Sequence, residues 1–294
     1  MLRSVIQISG KTHVVSLPTS WLRKYGIKKG DSLEVQEKES YLIVSPEKEL
    51  GGNSITIDVS GVQSSIKRLL GAAYKAGYDE VQLIYESRTE REAIDKALAI
   101  SMKTFQVIEE KEGKVRIKNL SELRHEEFEQ MLRRMFLLLL SSIDDIVKSS
   151  DKNDIEILNK VIERDFEVNN CADFCRRSLN RKGYAMFIKT PPLYFIVEQL
   201  EKIGDIIRDI AVNAKEEDIH HDLCAEAAKF FREFYELYYS FDVKKFDAWL
   251  KMNDEIKNEM ASSKKTTSRA FNLLGTMVEE LFAMNGALLV CKLS

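Results

Sequence analysis

Glu201, Asp205 and Asp209 stand four residues apart and line one face of any helix that carries them, with Glu198 one step earlier and near that stripe. Like charges in such a row repel unless a cation, or basic side chains such as Arg164, Lys202 or Arg208, neutralise them. Carboxylate oxygens suit Mg²⁺, Mn²⁺ or iron, so the row is a candidate site for a divalent or iron-type metal ion. Its plain alternative is an acidic helix face used for packing or solubility. His220, His221, Asp222 and Cys224 are also ligand-type residues. Adjacent histidines on a helix point about 100° apart, however, and do not readily share a metal, so a cap or surface cluster is expected. Cys171 and Cys175, with Cys224 and Cys291, make no disulfide framework and are expected as reduced, partly buried thiols. With no nucleophile beside a base, the chain is not expected to be an enzyme.

A second chemistry lies at the other end of the chain. Residues 1–30 hold Arg3, Lys11, Arg23, Lys24, Lys28 and Lys29 and no acidic residue, so this stretch carries +6 and the remainder −9 of a net charge of −3. Such one-sidedness in an acidic protein is an electrostatic footprint for a polyanion, or else a solvated basic face.

Elements able to hold these groups follow from the patterning. At 294 residues, 44% hydrophobic and 31% charged, the chain is long enough for two or three domains with cores of their own. The longest apolar run, Met135 to Leu140, is far short of the roughly 20 residues that span a membrane, so a cytoplasmic, non-inserted protein is expected. Residues 4–8 and 13–17 are β-branched runs around Gly10-Lys11-Thr12, Pro18 starts a helix that Gly26 ends, and 32–36 with 41–44 read as a closing pair of strands. Forty-six residues with four short strands bury too little alone, so a partner copy is expected. Residues 52–119 read strand, helix, strand, helix, strand, strand, which is a small α/β sandwich without a Gly-rich phosphate loop. From 121 onward every strong signal is helical: three helices to about 214, then three more near 217–240, 242–261 and 265–292, in the manner of an internal duplication. The aromatic stripe Phe230, Phe231, Phe234, Tyr235, Tyr238, Tyr239 and Phe241 reads as bundle core or dimer seam.

Two phrases carry family resemblances. Val14-Val15-Ser16-Leu17-Pro18-Thr19-Ser20-Trp21 followed by Lys24-Tyr25-Gly26-Ile27-Lys28-Lys29-Gly30-Asp31 resembles the SpoVT/AbrB swapped-hairpin DNA-binding domain. That resemblance implies a homodimer with interleaved hairpins, and DNA contacts from Arg3, Lys11, Arg23 and Lys24. Residues 161–169, VIERDFEVN, and 200–205, LEKIGD, resemble PhoU, a phosphate-uptake regulator family of paired three-helix bundles in which E-x-x-x-D repeats carry metal clusters. The second repeat departs from this: around Glu279 and Glu280 no Asp follows four residues later. The combination is similar to archaeal regulators that fuse the two domains. It implies a multi-domain chain with a small all-β swapped-hairpin domain at 1–46, a small α/β domain at 52–119 and an all-α PhoU-like bundle of two three-helix repeats at 121–294. It also implies a DNA-binding transcription regulator of phosphate uptake or homeostasis, whose bundle senses or couples to a partner. The other reading is a signalling adaptor acting on a phosphate transporter or a sensor protein, with the N-terminal domain only dimerising.

Overall fold

The computed structural model describes residues 2–38, 41–46, 54–101, 104–120, 125–150, 154–216, 221–262 and 268–294, which fall into two compact units, Met1–Asn53 and Ser54–Ser294.

In the first unit, β1 (Ile6–Ile8) pairs antiparallel with β2 (Thr12–Val14), α1 covers Thr19–Tyr25, and β3 (Leu33–Lys38) pairs antiparallel with β4 (Tyr41–Pro46). Pro18 stands one place before the helix, where its carbonyl accepts from Trp21 and Leu22 at 3.1 Å. Gly26 closes α1 at φ 65°, a left-handed turn that costs glycine nothing, and its N–H returns to Arg23 and Leu22 carbonyls. The two strand pairs make separate two-stranded sheets, shorter at β1 and β2 than the apolar runs suggest. No described side chain of residues 2–46 is buried: Ile6 is 55% and Leu42 68% exposed.

The second unit opens with a four-stranded sheet of β5 (Ser54–Asp58), β6 (Glu80–Ile84), β7 (Phe105–Lys111) and β8 (Lys114–Asn119), ordered β5-β6-β8-β7. β5 and β6 are parallel and the other pairs antiparallel. Parallel pairing needs a crossover, supplied by α2 (Ile66–Lys75), while α3 (Arg88–Ser101) links β6 to β7. Strict alternation in β6 and β8 sends Val81, Leu83, Val115 and Ile117 into one core with Ile66, Leu70 and Ile94 from the helices. This is the expected α/β sandwich.

The helices follow as α4 (His125–Ser150), α5 (Ile155–Lys182), α6 (Thr190–Asn213), α7 (His221–Tyr239), α8 (Val243–Ser262), α9 (Arg269–Ala283) and α10 (Asn285–Leu293). Asp154 caps α5 by accepting from the Glu156 and Ile157 amides, and Ser268 caps α9 through the Phe271 amide. α4, α5 and α6 pack on one another, α7, α8 and α9 likewise, and the trios meet where α4 touches α7 and α6 touches α9. Phe230, Phe231 and Phe234 are core residues, with Phe230 stacked on Trp249 at 4.6 Å.

Two features differ from the sequence reading. The sixth helix is interrupted at Met284, where the Asn285 side-chain amide donates to the Phe282 carbonyl at 2.7 Å. Arg269–Leu293 is apolar and long enough to cross a membrane by composition, which no short run announced, yet Leu274, Met277, Val278, Leu281 and Leu288 are spent on the bundle core. α2 lies on α5, and the α/β layer and the helices form one compact unit.

Candidate functional site

Arg3 precedes β1, Lys11 lies in the turn between β1 and β2, and Arg23 with Lys24 occupies the last turn of α1; all four are exposed. Arg23 and Lys24 thus stand together, whereas Arg3 and Lys11 lie at opposite ends of the β1–β2 hairpin. The last turn of a helix also welcomes cations for its own carbonyls. Trp21 and Tyr25 pair at 5.5 Å beside them, and the Lys24 ammonium lies 5.2 Å from the Tyr25 ring.

The carboxylate row of α6 faces α5, and two arginines take it up. Arg208 reaches Asp205, Asp209 at 2.9 Å and Asp165 of α5 at 3.1 Å. Arg176 of α5 reaches Glu198, Glu201 at 3.3 Å and Asp173 at 3.0 Å. Arg164 turns to Ser142 and Asp145, and Lys202 to Glu280, so of the three basic residues the sequence offers, Arg208 is the one found on the row. Burial raises the Glu201 and Asp165 carboxyls, each against an arginine that pulls it down. Gly204 lets the seam close: a Cβ there would lie 3.0 Å from Val168 Cγ1 and 3.3 Å from Leu139 Cδ2.

At Glu201, Asp205 and Asp209, the three residues the sequence offers to a metal ion, one oxygen of each carboxylate lies on a guanidinium, Arg176 on Glu201 and Arg208 on Asp205 and Asp209. Among the described residues no group of three or more ligating side chains is gathered for one. Asp165 Oδ1 is buried without a partner there, but Arg208 lies on its other oxygen.

The remaining candidates settle into structure. Cys171, Cys175, Cys224 and Cys291 are buried free thiols, and burial pushes Cys224 up to about 12. His221 Nδ1 pairs with Ser150 Oγ at 2.9 Å, joining α7 to the end of α4; His220 lies outside the described residues. At the carboxyl ends of β5 and β6, where open α/β sheets often bind anions, the Glu90 carboxylate accepts the amides of Gly61, Glu86 and Ser87 at 2.6–3.0 Å. A cleft of about 450 Å³ between α2, α4 and α5 includes Tyr74, Phe166 and Phe174, and its rim charges Arg134 and Glu167 are already paired at 2.6 Å.

Sequence reasoning missed the junction itself. Arg177, wholly buried, donates to the Tyr74 and Tyr78 carbonyls at 2.8 Å and to Asp79 at 2.7 Å, while Arg181 also grips Asp79 and Asn180 donates to the Lys75 carbonyl. The one signal was Arg176-Arg177 placed among the apolar residues of a core helix.

In chain order, a small basic β module is followed by a second unit in which an α/β layer packs with a helical bundle. The PhoU domain family model matches residues 132–214, and the model for MazE, an antidote-toxin recognition family of bacterial antitoxins, matches residues 6–51. The chain is therefore a fusion of a MazE/AbrB-type domain with a PhoU domain, as its motifs suggest. No curated protein and no solved structure matches it. The PhoU match spans most of α4 and all of α5 and α6, the trio that holds the arginine-carboxylate seam.

Proposed function

We propose that the protein is a cytoplasmic, dimeric DNA-binding transcription regulator linked to phosphate uptake or homeostasis, without enzymatic activity. The observation that carries this reading is the first unit: it matches a MazE/AbrB-type domain, its first 30 residues carry +6, and none of its described apolar side chains is buried. Two-stranded sheets with exposed Ile6, Ile8, Val35 and Leu42 need a covering surface, and a second copy supplies one. Arg3, Lys11, Arg23 and Lys24 then contact phosphates and base edges, with Arg23 and Lys24 foremost because they stand together.

The PhoU domain supports a coupling role for the bundle, towards a phosphate-transport component or a signalling protein. A second reading, an adaptor whose first unit only dimerises, draws on that same match. Gel shifts with promoter fragments from its own genome, selected by immunoprecipitation, separate the two. The expected result is a shift that weakens steeply with salt and that R23E/K24E abolishes while sedimentation still shows a dimer. Undiminished binding by R23E/K24E would overturn the assignment of these residues. Absence of any specific fragment, with transport components recovered instead, would favour the adaptor.

A further inference from the structure

Arg176 and Arg177 are consecutive on α5 and serve opposite neighbours. Arg176, 5% exposed, faces the carboxylates of α6; Arg177 faces the carbonyls and Asp79 of the α/β layer. An unbroken line of ion pairs joins the two sides. Glu201 of α6 meets Arg176 at 3.3 Å, Arg176 meets Asp173 at 3.0 Å, and the same Asp173 oxygen meets Lys75 at the end of α2 at 3.8 Å.

We propose that this line is a relay, through which the charge on the α6 carboxylates sets how firmly the α/β layer is held against the bundle. It deepens the regulatory reading of the PhoU domain and rests on it. A buried guanidinium must keep anionic partners, because leaving it unpaired costs several kcal/mol. When a partner's cation or a substitution neutralises Glu201, Arg176 keeps Glu198 and Asp173 as its anionic partners and leans further on both. Asp173 Oδ1 is shared, so Lys75 loses hold of it, and the contact it holds is already the longest in the line. The next residue, Arg177, is fixed to the same helical turn, so any shift of α5 is felt at the Tyr74–Asp79 loop. A relay of this kind gives the α/β layer a task as the part of the molecule that reads the seam.

Hydrogen exchange on the full chain tests the relay without DNA, so it can fail while the DNA-binding reading stands, and the reverse. The reporters are the amides of Gly77, Tyr78 and Asn119, which bond to Tyr74, Ala73 and Asp79 carbonyls at 3.0, 3.1 and 2.7 Å. In E201Q their exchange is expected to rise about tenfold relative to amides of α9, and R176K, which keeps the charge but loses the three-way fork, is expected to move them in the same direction. E280Q is the control: Glu280 bonds Gln199 and Lys202, which flank the carboxylate row but do not touch Arg176, and its loss should leave the reporters within twofold. Reporters unchanged in both E201Q and R176K, or raised equally in E280Q or in step with α9, would overturn the proposal.

Discussion

Replacing Arg177 with Met asks whether the buried guanidinium holds the α/β layer or merely survives there. Methionine keeps most of the aliphatic stem and its packing, including the side that lies over the Tyr74 ring, whose centroid is 4.9 Å from the guanidinium carbon. Three hydrogen bonds disappear. Tyr74 retains the Gly77 amide on its carbonyl and Asp79 retains Arg181, which leaves the Tyr78 carbonyl as the acceptor that loses most. Hydrogen bonds to charged groups contribute about 1.5–3 kcal/mol each, and removing one member of a buried ion pair costs about 3–5 kcal/mol. Against this, the substitution relieves the desolvation that pulls the Arg177 pKa down, and Arg177 Nε, buried with no partner, has nothing to lose. With Asp79 still paired, the net loss is expected at about 2–3 kcal/mol. At roughly 2–4 °C per kcal/mol for domains of this size, the midpoint should fall by roughly 5–10 °C. Urea and thermal unfolding followed by far-ultraviolet circular dichroism measure it. An R177M protein as stable as the parent, or more so, would show that desolvation outweighs the three bonds and that α2 is held on α5 by apolar contact instead.

Gly204→Ala should destabilise the bundle by about 1–2 kcal/mol even though alanine is the better helix former, because the added methyl meets Val168 and Leu139 at 3.0 and 3.3 Å; a melt with a raised midpoint would refute the close approach of α6. Glu90 is held below the usual carboxylate range by the amides of Glu86, Gly61 and Ser87. A depressed folded pKa means its contribution is complete above the unfolded value near 4.3 and is lost as pH falls through the folded value. The stabilities of the parent and Glu90→Gln should therefore differ at pH 7 and converge as the pH falls through the lowered folded value, and urea titrations giving a pH-independent difference would contradict it.

What was legible in the chain is what repeats over short distances. The alternation of Val81, Leu83, Val115 and Ile117 and the helical spacing of Leu132, Met135, Phe136 and Leu139 declare their own faces, so sandwich and bundle could be read without a partner in view. The carboxylate row was visible for the same reason, four residues being one helical turn. What neutralises it was not. Arg176 answers Glu198 from 22 residues away and Arg177 answers Asp79 from 98, and periodicity says nothing about such pairs. An arginine beside an apolar stripe looks identical whether it ends in water or in a carboxylate, and Arg177 is among the largest fully buried side chains of the protein.

Glu280 gives the missing half of the second repeat a physical meaning. Where the first repeat continues its glutamate with Asp205 and Asp209, the second has Met284 and no acid, which from the sequence alone looks like decay. Glu280 points across the bundle instead, accepting from Gln199 at 2.5 Å and pairing with Lys202, both on the helix that carries the first row. Its carboxyl is held low by those two donors although burial opposes it. A second cluster of acids there would add negative charge beside a row that two arginines only partly neutralise. The Glu280 clamp fixes from α9 the helix whose carboxylates Arg176 and Arg208 take up.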